Sequence, residues 1–100
     1  MFIAHVTFKT SAADRQMAIN TLLDEAQTVR ALPGCLHFAP LADPADPCQT
    51  ALVQEWADEA AFCAYTATSG FARTGAILRL LMTAPPISRR FAATLLATVA

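Results

Sequence analysis

Val53-Gln54-Glu55-Trp56-Ala57-Asp58-Glu59-Ala60-Ala61-Phe62 contains the chain's only tryptophan and a change of period. Up to Trp56 the pattern is that of a strand. Two residues later Asp58 offers a helix N-cap, and Phe62 and Tyr65 then recur on one helical face. This junction sets the order of everything on either side of it.

Upstream, Thr50 to Trp56 reads as a strand, preceded by the turn-forming run Asp43-Pro44-Ala45-Asp46-Pro47. Before that, Cys35 to Ala42 reads as another strand. It has Leu36, Phe38 and Pro40 on one face and Cys35, His37, Ala39 and Leu41 on the other. Pro40 lacks an N–H for the ladder and marks an edge or a bulge. The connection is too short for a crossover, so the two strands form an antiparallel hairpin. Residues 2–9 alternate as well, with Phe2, Ala4, Val6 and Phe8 opposite Ile3, His5, Thr7 and Lys9. Between them, Ser11 caps a helix from Ala12 to about Leu32. Its stripe is Ile19, Leu22, Leu23, Ala26 and Val29, and Pro33-Gly34 stops it.

Downstream, Thr68-Ser69-Gly70 breaks the helix that Asp58 opens. Ser69 then caps a continuation striped by Phe71, Gly75, Leu78, Leu81 and Met82, and Pro85-Pro86 ends it. The segment from Ile87 to Ala100 has helical propensity but an alternating pattern, with Arg89 the exception. It reads as a last strand. The order strand, helix, strand, strand, helix, strand is that of an α+β, ferredoxin-like open sandwich: one antiparallel sheet with helices on one face.

Composition narrows the function. The chain has 100 residues, enough for one domain over 1–100, with 55% hydrophobic and 15% charged residues. The usual values are about 45–50% and 25%. So few charges on so small a domain imply burial against another copy, and a homodimer is expected. Net charge is −1 and no basic cluster exceeds Arg89-Arg90, which excludes nucleic-acid binding. The residues from Phe91 to Ala100 are too few for a bilayer span, and the N-terminus is not a signal peptide, so no membrane association and a cytoplasmic location are expected. Cys35, Cys48 and Cys63 read as reduced, small, buried hydrophobes. No spacing marks a metal site, no Gly-rich loop a nucleotide site, and no serine a hydrolytic triad. Glu55, Asp58 and Glu59 read as a solvated strand end and a helix cap.

The residues carry a resemblance. Leu32-Pro33-Gly34-Cys35, then Glu55-Trp56, then Ala60-Ala61-Phe62, then Ser69-Gly70-Phe71 resemble, in this order, the antibiotic biosynthesis monooxygenase domain family of dimeric α+β barrels. The region of Ala39-Pro40 and Asp43 is most similar to the quinol monooxygenase members. The resemblance implies a homodimer. Its members include cofactor-free monooxygenases acting on quinols and polycyclic phenols, haem-degrading enzymes, and small proteins of unknown role. Many carry a helical histidine in an A-x-H setting where Tyr65 stands here, and a second one where Gly70 stands. No histidine follows His37, so the iron ligand of the haem-degrading branch is missing near Gly75.

The expected function is cofactor-independent oxidation of a quinol or phenol by dioxygen, with a non-catalytic binding domain of the same fold as the alternative. His5 and His37 are candidate proton acceptors, because imidazole titrates near neutral pH. Tyr65 is a candidate hydrogen-bond partner for a substrate oxygen. Phe38, Leu52, Trp56, Phe62, Phe71 and Leu78 are the expected lining of an aromatic pocket between helices and sheet.

Overall fold

A computed structural model describes residues 1–100. Strands β1 (Phe2–Lys9), β2 (Cys35–Ala42), β3 (Gln49–Trp56) and β4 (Ile87–Ala92) form one antiparallel sheet in the order β2-β3-β1-β4. Helices α1 (Arg15–Val29), α2 (Glu59–Thr66) and α3 (Ser69–Leu81) connect them. This is the ferredoxin-like α+β arrangement.

The alternation in β1 resolves into two faces of different fate. Phe2, Ala4 and Phe8 are buried under the helices, and His5 and Lys9 are exposed on the opposite face. In β3 the helix-facing set is Thr50, Leu52, Gln54 and Trp56, all buried. From α1 come Ala18, Leu22, Ala26 and Val29, from α2 Phe62 and Tyr65, and from α3 Thr74 and Leu78. Ala18 takes the place on the α1 stripe expected for Leu23, which is 44% exposed.

The ends of α1 differ from expectation. Residues 12–14 form a turn, and the Ser11 hydroxyl accepts from the Asp14 N–H at 3.2 Å one turn before the helix proper begins. At the other end the Arg30 guanidinium donates twice to the Phe38 carbonyl, at 3.0 and 2.8 Å, and ties the helix to β2. Gly34 lies four residues past the C-cap Arg30 and adopts φ +81° inside the turn Leu32–Cys35, which the Cys35 N–H closes by donating to the Leu32 carbonyl at 3.2 Å.

Asp58 caps α2, accepting from the Ala61 N–H at 2.8 Å. The cap of α3 is Thr68, whose hydroxyl accepts from the Phe71 N–H at 3.2 Å; Ser69, the expected cap, is the first helical residue. A bulge between Cys35 and His37 in β2 shifts the expected faces there. Cys35 pairs with Trp56 and turns to the helices, and Leu36 is exposed. Cys63 is exposed too, against the expectation of a buried thiol.

β4 ends at Ala92, not near Ala100. Ala92 lies opposite Phe2, the first residue of its partner β1, and the Ala93 N–H donates to the Met1 carbonyl. Beyond that, residues 93–100 have no regular secondary structure. No helix is long and apolar enough to cross a membrane.

Candidate active site: a cavity with an inward-facing carboxyl

An aromatic cluster fills the space under α2. Tyr65 stacks on the Trp56 indole, with centroids 5.3 Å apart and planes at 18°. Phe38, Phe62 and Phe71 meet the Tyr65 ring edge-on. Trp56 and Phe38 are both 0% exposed, so they form the floor behind the site and do not line it. The Trp56 N–H donates to the Gln54 Oε1 at 3.0 Å. Indole is a donor only, so this bond fixes the orientation of the Gln54 amide.

Beside the cluster lies a cavity of about 190 Å³ between the helices and the sheet. Val6, Phe8 and Leu52 from the sheet and Leu22, Phe62, Phe71, Leu78 and Met82 from above supply its apolar walls. Its polar groups are Glu25, Gln54, Tyr65 and Thr74, with Arg79, Ser88 and Arg90 added by the last turn of α3 and by β4. An apolar cavity of about 150 Å³ holds one benzene, so this space suits a single substituted ring.

Glu25 is the central polar feature. The Tyr65 hydroxyl donates to its Oε1 at 3.1 Å. Burial pushes the Glu25 carboxyl above the ordinary carboxylate range, against the opposing pull of the Tyr65 and Thr74 hydroxyls and the Arg73 guanidinium. Tyr65 is pushed strongly upward by burial first and by the facing Glu25 charge second, so its phenol keeps its proton. Glu25, Tyr65 and Thr74 also line a groove on the outer side of α1 and α3, with Asp24, Thr28, Ser69 and Arg73. The carboxyl therefore sits in the partition between an apolar interior and a wet surface.

The residues singled out from sequence divide between two faces. Leu52, Phe62, Tyr65, Phe71 and Leu78 meet at the cavity. His5 and His37 do not: both are exposed and lie on the sheet face opposite the helices. His5 packs edge-on against Phe91 there, with centroids 5.6 Å apart. Glu25, Gln54 and Thr74 escaped the sequence reading. Each is a polar residue at an apolar position of its element: Glu25 three after Leu22, Gln54 between Leu52 and Trp56, Thr74 between Phe71 and Leu78. That misfit is the signal. No group of three His, Cys, Asp or Glu side chains is placed to hold a metal ion.

The family model described as antibiotic biosynthesis monooxygenase matches residues 1–76. Among solved structures, a Deinococcus radiodurans protein provisionally assigned as such a monooxygenase superposes with TM-score 0.90 at 23% identity, covering 100% of this chain and 99% of its own. One from Caulobacter crescentus, with the same provisional assignment, gives 0.87 at 21%, covering 93% and 89%. A third, from Nitrosomonas europaea, gives 0.87 at 14%, covering 93% and 98%. No curated protein matches the sequence.

Proposed function

Because the chain belongs to the antibiotic biosynthesis monooxygenase family, we propose that it is a cofactor-independent monooxygenase oxidising a quinol or related phenol with dioxygen. The observation that carries the reading is the Glu25 carboxyl, hydrogen-bonded to Tyr65 and facing an apolar cavity the size of one ring. A phenol titrates near 10. A carboxylate whose proton affinity is raised by burial narrows that gap and makes a better base than an exposed one.

In this reading Glu25 takes the phenolic proton and can release it to the outer groove it also lines. The Gln54 amide stands in the same cavity as a hydrogen-bond donor toward the ring oxygen. The electron-rich anion passes one electron to dioxygen and the radical pair recombines on a ring carbon. The peroxide takes a proton back from Glu25 or water, the ring carbon gives up its hydrogen, and loss of water leaves one oxygen atom on the ring. The protein binds the ring, favours the anion and excludes bulk water.

The test is oxygen uptake. Protein stripped of flavin and metals is loaded anaerobically with a panel of hydroquinones and then mixed with oxygenated buffer. Oxygen consumption above the buffer rate, with one oxygen atom incorporated from labelled dioxygen, supports the reading. Rates equal to buffer across the panel reject it.

The alternative is a non-catalytic ligand-binding domain. It is favoured by the commitment of the Tyr65 hydroxyl to Glu25 and by the lack of a histidine at the cavity. Under that reading the same hydroquinones bind without being consumed.

We also propose that a second copy covers the open sheet face. Support comes from the apolar side chains left there, among them Leu41 at 51% and Ile87 at 62% exposure, with Phe91 beside them. Light scattering that gives a monomer mass at micromolar concentration would reject this assembly.

A further inference from the structure

The cavity carries a second kind of recognition that the oxidation does not require. Arg79, in the last turn of α3, and Arg90, on β4, both line it, one from the helix layer and one from the sheet. Neither makes an ion pair; the molecule's one salt bridge joins Lys9 to Asp46 on another part of the surface. Instead each guanidinium lies on uncharged surface. Arg90 sits over the Phe62 ring at 5.0 Å, with Nε donating to the Ser88 hydroxyl at 3.4 Å. Arg79 folds back across Gly75, so closely that a side-chain carbon on that glycine would lie 3.2 Å from its Nη2.

Two guanidiniums without an ion-pair partner, both on exposed residues, stand at the rim of an apolar cavity and offer donors to an anion. The cavity's own carboxyl, Glu25, is not their partner: it is held by Tyr65 on α2 and stands near Thr74. Although its backbone is five residues beyond Thr74, the Arg79 guanidinium folds back to the level of Gly75 and so meets the cavity from the α3 side. Arginine presents a planar donor fork that matches a carboxylate or a phosphate.

We propose that the cavity takes an aromatic ring bearing an acidic substituent. The ring hydroxyl is directed to Glu25 and Gln54, and the acid group to Arg79 and Arg90. The inference rests on the functional reading only in taking this cavity as the ligand site. It concerns binding, so it is tested without turnover.

The experiment is anaerobic titration calorimetry with 2,5-dihydroxybenzoate and with unsubstituted hydroquinone. The acid is expected to bind at least tenfold more tightly, with a preference that shrinks as salt rises. The double variant Arg79→Gln/Arg90→Gln, checked for an unchanged far-ultraviolet spectrum, is expected to bring the ratio of the two affinities close to one. Gly75→Ala, whose added methyl meets the Arg79 guanidinium at 3.2 Å, is expected to give part of that loss. Equal affinities in the unaltered protein, a preference that survives in the double variant, or no binding of either compound overturns the proposal. Oxygen uptake separates the two ideas. Tight binding of the acid with no oxidation keeps this inference and rejects the monooxygenase reading. Oxidation of hydroquinone with no preference for the acid does the reverse.

Discussion

The backbone of Gly34 passes so close to Ala61 that a side-chain carbon on the glycine would meet the Ala61 Cβ at 2.6 Å. Gly34 also holds φ +81°, which penalises any other residue. Its carbonyl accepts from the Ala57 N–H at 2.8 Å, fastening the start of β2 to the end of β3. Pro33-Gly34-Cys35 and Ala60-Ala61-Phe62 are far apart in sequence, yet they are two halves of one contact. That contact sets where α2 sits, and with it Tyr65. Gly34→Ala is therefore expected to destabilise the fold, by about 1–2 kcal/mol for the left-handed backbone and about 1–3 kcal/mol for overpacking. Urea unfolding measures the sum. Ala61→Gly alone carries the helix cost of a glycine, about 1 kcal/mol; combined with Gly34→Ala it should recover the packing part, so a double variant whose loss equals the sum of the two single losses would show that the contact is soft.

Much of this was legible because period and punctuation agree. Alternation marks β1 and β3, the turn at Asp43–Pro47 marks the hairpin, and Pro33-Gly34 marks the turn from α1 into β2. The choice of face in β1 was not legible, since Phe2 and Ile3 are equally apolar and only packing against α1 and α2 decides between them. That choice moved His5 away from the site. Glu25, Gln54 and Thr74 were hidden for the opposite reason: each sits among apolar neighbours at core spacing, where a pattern-based reading averages it out. Arg79 and Arg90 come together only through the pairing of β4 with β1, which no local spacing reports.

Glu25→Gln should separate function from stability. The folded protein holds the Glu25 proton more tightly than the unfolded chain, where a carboxyl titrates near 4.5. Stability therefore falls as pH rises from that value through the raised folded one, and the loss persists above it. Glutamine does not ionise. The variant should unfold at a higher temperature than the parent at pH 7 and at a similar one at pH 4. Under the proposed chemistry its kcat should drop by about 10²–10⁴-fold, the range of a lost general base. Equal melting temperatures at both pH values would contradict the burial of this charge.

Thr50 is 0% exposed and its hydroxyl has no hydrogen-bond partner. An unmet buried group costs about 1–3 kcal/mol. Thr50→Val keeps the branched shape a strand favours and removes the hydroxyl. It should raise the unfolding free energy by about 1 kcal/mol, measured in urea. A loss of stability would mean that the hydroxyl is bonded in solution.

His5→Ala and His37→Ala should leave hydroquinone oxidation within about twofold of the parent rate. Both side chains point to the sheet face opposite the cavity, and a general base must reach the proton it takes within about 3 Å or through one water. A loss of kcat in either variant, with oligomeric state unchanged, would place the chemistry on the open face and displace Glu25 from its role.

Tyr65→Phe isolates the hydroxyl from the ring. The stack on Trp56 and the edge contacts with Phe38 and Phe71 need only the ring, so the fold should persist. What is lost is the 3.1 Å bond to Glu25. A donor to a carboxylate favours its charged form, and removing it raises the proton affinity further. If Glu25 is the base, the rate rises with pH as its carboxyl ionises. In the phenylalanine variant that rise should move to higher pH, while the plateau above it is retained in large part. A tyrosine that itself bonded the substrate would behave differently: its loss would lower the plateau or raise KM and leave the position of the acid limb unchanged. The pH profile of kcat/KM in this one variant therefore distinguishes a Tyr65 that holds Glu25 from a Tyr65 that holds the substrate.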